Sequence, residues 1–188
     1  MKKIILVIVS IFLISISESY SQGQCFDEVC NGGDITTGLT ITYSVNQPYC
    51  GSCTYTAFYR ECKNNGTSIF IIDSIEADAG NAECCFGTAQ NDPILSGFIL
   101  TTAAELISLT GTGSPNNQYS IFTPSRCWMW EGPLGPYPLH KAVFVPCGTI
   151  LTSCCRYDYE VIDGVSTLIN VEAINEALCN EEGCFQIC

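Results

Sequence analysis

The sequence predicts an all-β, disulfide-rich fold: a β-sandwich-like domain of short antiparallel strands and hairpins, with at most one or two short helices. Three observations carry that reading. Fourteen cysteines, an even number, occur in 188 residues. Apolar and polar residues alternate over Leu39–Val45 and Arg156–Val161, the period of a half-buried strand. Asn65-Gly66 and Asp163-Gly164 each separate two strand-like runs, a strong local hairpin signal.

The chain opens with Lys2 and Lys3, then an apolar run over Ile4–Ile16 interrupted only by serines, then Ser19 and Ser21 at the −3 and −1 positions of a cleavage site. That order describes a secretory signal peptide over residues 1–21. The apolar run is too short for a helix crossing a hydrocarbon core of about 30 Å. Gln24 before Cys25 disfavours a lipid anchor there. The leader resembles those of bacterial secreted proteins. The expected location is secreted or cell-surface, with the periplasm as the alternative. Residues 22–188 are expected to form a single disulfide-linked β domain.

Seven basic residues face nineteen acidic ones, for a net charge of −12. Nucleic acid is excluded as a partner, because phosphate binding needs basic patches. An anionic membrane surface is disfavoured on the same ground.

In an exported chain, the cysteines read as a disulfide framework. They are Cys25, Cys30, Cys50, Cys53, Cys62, Cys84, Cys85, Cys127, Cys147, Cys154, Cys155, Cys179, Cys184 and Cys188. Cys50-Gly-Ser-Cys53 is the only CxxC, so no second pair completes a four-sulfur zinc site. No metal and no cofactor is expected. Adjacent Cα atoms lie about 3.8 Å apart, closer than the roughly 4.4–6.8 Å of a relaxed bridge. Cys84 and Cys85 should therefore pair elsewhere, as should Cys154 and Cys155. Seven cysteines precede residue 100 and seven follow it, so full pairing requires a bridge between the halves.

Along the chain, residues 22–38 read as irregular. Strands are expected over Leu39–Val45, Thr54–Arg60 and Ser68–Ile75. Residues 76–93 form an acidic loop without the calcium-loop spacing. Ile94–Thr101 reads as a strand and Ala103–Leu109 as a short helix. Tyr119–Thr123 is a short strand. Cys127–Cys155 holds both tryptophans, the only histidine, and four of the eight prolines. It reads as a tryptophan-bearing strand, a proline-stiffened loop, a return strand and a double-cysteine anchor. Arg156–Val161 and Ser166–Ile174 form a second hairpin. Cys53–Phe86 and Cys155–Phe185 share Cys-x-Tyr, Gly-x-Ser, Glu-Ala and Cys-Phe in order, which raises a duplication with halves near 39–100 and 119–188. Chance similarity between β-rich segments is the competing account.

No Gly-x-Ser-x-Gly elbow, HExxH or phosphate loop is present. His140 is the only imidazole. No catalytic residue is assigned, and the expectation is a non-catalytic extracellular or cell-surface binding or structural module. The candidate ligand-binding residues are Trp128, Trp130 and Tyr137. Trp128 and Trp130 share one strand face, and aromatics stiffened by nearby prolines can stack on sugars or dock a protein. The competing role for both tryptophans is core. The expected partner is an extracellular protein or carbohydrate. Two alternatives stand beside this: a small carboxylate-dependent, glycosidase-like hydrolase, and a subunit of an extracellular assembly that pairs through open strand edges.

Overall fold

The computed structural model describes residues 30–47, 51–64, 67–77, 92–110, 118–134, 141–147, 153–175, 179 and 183–188. The elements are β1 (Asp34–Gln47), β2 (Gly51–Asn64), β3 (Thr67–Ala77), α1 (Asp92–Thr110), β4 (Gln118–Thr123), β5 (Cys127–Leu134), β6 (Lys141–Pro146), β7 (Cys154–Ile162), β8 (Val165–Ile174) and β9 (Phe185–Gln186). All nine strands belong to one sheet. The disulfide-rich all-β class read from the sequence is the class observed.

β3 organises the sheet. One of its edges pairs with β2 throughout, from Asn64↔Thr67 to Tyr55↔Ala77. Its other edge is shared. Ile69–Ile71 pair with β4, and Ile75–Ala77 pair with β6. The sheet therefore forks at β3 into one wing of β4, β7 and β8 and another of β6, β5 and β9.

A bulge lies at the fork. Phe58 pairs with Ser74 while Tyr59 pairs with Ile72, which leaves Asp73 as an extra residue. Phe70 and Ile72 are buried on one side of it, and Ile75 and Ala77 on the other. The bulge thus restores the core face after a change of phase. Arg60 Nε donates to Asp73 at 2.9 Å, and its Nη2 lies 2.6 Å from the same carboxylate. A second bulge in β1 is made possible by Gly38, whose φ of 71° falls in the left-handed region.

Two segment readings are corrected, and one strand pair departs from the antiparallel pattern. Ile94–Thr101 is not a strand but part of α1, a nineteen-residue helix. Pro93 sits in the first turn, where its missing N–H costs no hydrogen bond. Ile99, Ala103, Leu106 and Ile107 are buried, the spacing of one helical stripe. The short apolar run over 94–101 is compatible with a strand, and tertiary packing decides for the helix. Asp34–Gly38 are not irregular but open β1, paired as Asp34↔Lys63 and Ile35↔Cys62. The Cys30–Cys62 bridge ties down the start of that strand. Finally, β3 and β4 run parallel. A parallel pair needs a crossover, and α1 lies in that connection.

Both wings turn their inner residues into one core. It contains Tyr55 and Ile72 from β2 and β3, Tyr157 and Tyr159 from β7, Trp128 and Phe144 from β5 and β6, and Ile99 and Leu106 from α1. Tyr43 and Tyr55 stack with ring centroids 5.6 Å apart. Two tyrosine hydroxyls bind the helix: Tyr43 to the Thr102 hydroxyl at 2.5 Å, and Tyr159 to the Leu100 carbonyl at 3.2 Å.

The C-terminal tail stitches the wings together. β9 pairs with β5, and Ile187 N–H donates to the Arg126 carbonyl at 3.0 Å. Tyr157 of the opposite wing donates to the Ile187 carbonyl at 3.2 Å. Cys155–Cys188 joins the same two regions covalently, with Cα atoms 6.0 Å apart. Cys127–Cys179 and Cys147–Cys184 complete the cluster.

Candidate functional site

The β7–β8 hairpin shows how sequence pattern becomes surface. Cys155, Tyr157 and Tyr159 point into the core, while Arg156, Asp158 and Glu160 are only partly buried. Asp163 and Gly164 close the hairpin with φ of 51° and 80°. Two positive angles define the mirror-image turn that matches strand twist, as the Asp-Gly pair implies. Asp158 pairs with Asn170 and Tyr159 with Leu168, so Ile169 is a bulged extra residue on β8.

Outside the core, Asp158 gathers three donors. Ser120 Oγ lies at 2.6 Å, Arg156 Nε at 2.8 Å and Asn170 Nδ2 at 3.2 Å. Burial pushes this carboxyl up, but the hydrogen bonds and the Arg156 charge outweigh it and hold the group below the usual aspartate range. A carboxyl depressed in the folded state contributes stability above its unfolded pKa, and loses it as pH falls through the folded value. Thermal melts between pH 7 and pH 3 are therefore expected to show a smaller drop in Tm for D158N than for the wild type. Asp73 acts in the opposite sense. Burial raises its carboxyl despite the Arg60 guanidinium, so its contribution is largest at low pH and fades as pH rises.

β8 ends the sheet, and its outer edge has no strand partner among the described residues. This edge and its turn are also the most apolar exposed surface among the described residues. Val165 is 65% exposed, Ile162 57%, Ile169 53%, Val171 43% and Leu168 36%. Only Ile35 and Leu109 join them as exposed large hydrophobics among the described residues. Leu168 and Val171 pair with Tyr159 and Tyr157, so both stand on the core side, at its uncovered margin. Glu172 is the single acidic or basic residue of β8, and its side chain lies 4.0 Å from the Arg156 guanidinium.

The tryptophans sit elsewhere. Trp128 is completely buried, with Nε1 donating to the Ser125 carbonyl at 2.8 Å. It has no surface to present to a ligand, so the structure gives it the core role. Trp130 is half-buried, and both indoles pack on Phe144, at 4.9 and 4.5 Å. They share a face as the i, i+2 spacing requires. Tyr137 and His140 lie outside the described residues, as do residues 1–29, Cys50, the Asn65-Gly66 turn, Cys84 and Cys85.

All ten described cysteines are disulfide-bonded. Cys155 bonds to Cys188, so Cys154 and Cys155 pair with different partners, as their adjacency demands. The six other cysteines after residue 100 are bridged among themselves. The partner of Cys154 therefore comes from the first hundred residues, and one bridge joins the halves. The two hairpins raised as a duplication both carry a bulge three residues before Glu-Ala, at Asp73 and Ile169. Their Cys-x-Tyr motifs are out of step, since Ala77 pairs with Tyr55 but Ala173 with Cys155.

Among the described residues, no cluster of acidic, histidine or cysteine side chains is placed to hold a metal ion, and no helix is long and apolar enough to cross a membrane. Among the described residues the chain forms a disulfide-braced forked sheet whose terminal strand β8 is open and apolar, and the bridges point to an oxidising, non-cytoplasmic setting. No family model matches the chain, and comparison with curated proteins and with solved structures finds no match.

Proposed function

We propose that the protein is a secreted, non-catalytic binding or structural module that works through its β7–β8 hairpin. The carrying observation is β8, an open terminal strand with most of the large exposed hydrophobics of the described residues. Sheet edges of this kind are association sites unless they are blocked. The secretory leader pattern and the bridges support an extracellular setting, in which a cross-linked sheet unfolds slowly and resists proteases.

The hydrolase alternative has less support. Asp73 on β3 and Asp158 on β7 are both engaged by arginine, and β4 lies between them. Strand spacings put these two carboxylates roughly 16 Å apart, beyond the roughly 5–10 Å that a glycosidase pair needs. The closer pair, Asp158 and Glu172, shares the Arg156 guanidinium on an open strand face.

A screen of glycans and matrix proteins, run with wild type, L168K and W130A, tests the reading. The expected result is an association, with a ligand or with itself, that L168K weakens and W130A spares. An association indifferent to L168K, or hydrolysis of a polysaccharide abolished by one carboxylate substitution, overturns it. The extracellular setting has a separate check. Secreted protein denatured without reductant is expected to titrate with close to no free thiol, and several reactive thiols would contradict it.

A further inference from the structure

We propose that β8 pairs antiparallel with β8 of a second copy of this chain, about a two-fold axis between Ile169 and Asn170. The proposal rests on the reading of the hairpin as the contact surface and commits that surface to one occupant.

The strand is self-complementary in this register. Val165 meets Ile174, Ser166 meets Ala173, Thr167 meets Glu172, Leu168 meets Val171, and Ile169 meets Asn170. Apolar residues face apolar ones in the first and fourth pairs, and two small residues meet in the second. The bulge makes the match possible. Opposite β7, the core-side residues of β8 are Ser166, Leu168, Val171 and Ala173, a set symmetric about the axis. Directly opposed residues in an antiparallel pair share a face, so core side meets core side along the whole strand. The exposed flanks of Leu168 and Val171 then cover one another twice. The one mismatched pair, Ile169 with Asn170, sits on the axis.

Charge selects the same arrangement. At net −12, two copies repel over most of their surfaces. β8 carries little of that charge, with one carboxylate in ten residues and Arg156 beside it. In the proposed register the two Glu172 carboxylates stand five residues apart along the strands, roughly 17 Å, well past a screening length of about 8 Å. A parallel in-register pairing would set them face to face. A two-fold contact uses the same edge on both chains and closes, so the product is a dimer and not a fibre.

Sedimentation equilibrium on the secreted, oxidised protein over a wide concentration range tests this. The expected result is a mass that rises from one chain toward two. L168K and I169K are expected to weaken association at least tenfold, while I35K on β1, an equally exposed apolar site, leaves it unchanged. T167K places an ammonium opposite the second copy's Glu172. It is expected to tighten association at low salt, and not in an E172Q background. A single-chain mass at every concentration, or insensitivity to L168K and I169K together, overturns the proposal, and a T167K without effect overturns the register. A monomer that nonetheless binds a glycan or matrix protein through β8 removes the second copy but keeps the broader reading.

Discussion

Replacing Cys155 and Cys188 together by alanine is expected to lower the unfolding free energy by about 3 kcal/mol and to free the C-terminal tail. The bridge spans 33 residues, and taken alone a loop of that length corresponds to nearly 4 kcal/mol of unfolded-state entropy. It does not act alone. Cys147–Cys184 already holds the tail four residues from Cys188, and anchors it eight residues before Cys155. The loop that Cys155–Cys188 closes in addition is therefore about a dozen residues, which gives the smaller figure. Even so, it is a large fraction of the 5–15 kcal/mol typical of a domain. Denaturant titration measures the loss, and amide exchange at Ile187, whose N–H bonds to Arg126, reports the tail. A loss below about 1 kcal/mol would mean that β9 and the Tyr157–Ile187 hydrogen bond hold the wings together without the covalent link.

Local chemistry was legible in the sequence wherever a residue's own neighbours decide its conformation. Asp163-Gly164 specified its turn through the left-handed angles it tolerates. The alternation of Arg156–Val161 specified which side chains enter the core. The spacing of Trp128 and Trp130 placed both indoles on Phe144. What was not legible depends on contacts distant in sequence. The run over Ile94–Thr101 is short and apolar, which fits strand or helix alike, and its helical state goes with its place in the crossover between the parallel strands β3 and β4. The fork at Asp73 is likewise invisible in an apolar run that reads as one strand.

The candidate site was the least legible part. Ser166–Ile174 reads as the return strand of a hairpin, but the proposed role rests on its having no strand neighbour on its far side among the described residues. That is a property of strand order, and no residue in β8 encodes it. Aromatic residues such as the two tryptophans serve equally well as core or as platform, and only the burial of Trp128 separates the two roles.

That separation has a measurable consequence, because W128A and W130A should differ sharply. W128A is expected to cost about 3–5 kcal/mol, the range for deleting a large buried aromatic. Trp128 is fully enclosed, its ring lies 4.9 Å from Phe144, and its strand neighbours are Pro146 and Phe185. Alanine leaves a cavity between β5, β6 and β9 that the bridges at Cys127 and Cys147 keep from collapsing. It also strands the Ser125 carbonyl, which loses the indole N–H. W128F keeps most of the packing and loses that hydrogen bond, so it should fall at about 1–2 kcal/mol. W130A deletes a ring that already meets solvent, and roughly half the W128A loss is expected. Unfolding of the three variants under one denaturant gives the ranking directly. Equal losses for W128A and W130A would mean that Trp130 is as much a core residue as Trp128, and a ligand platform on Trp130 would lose its footing.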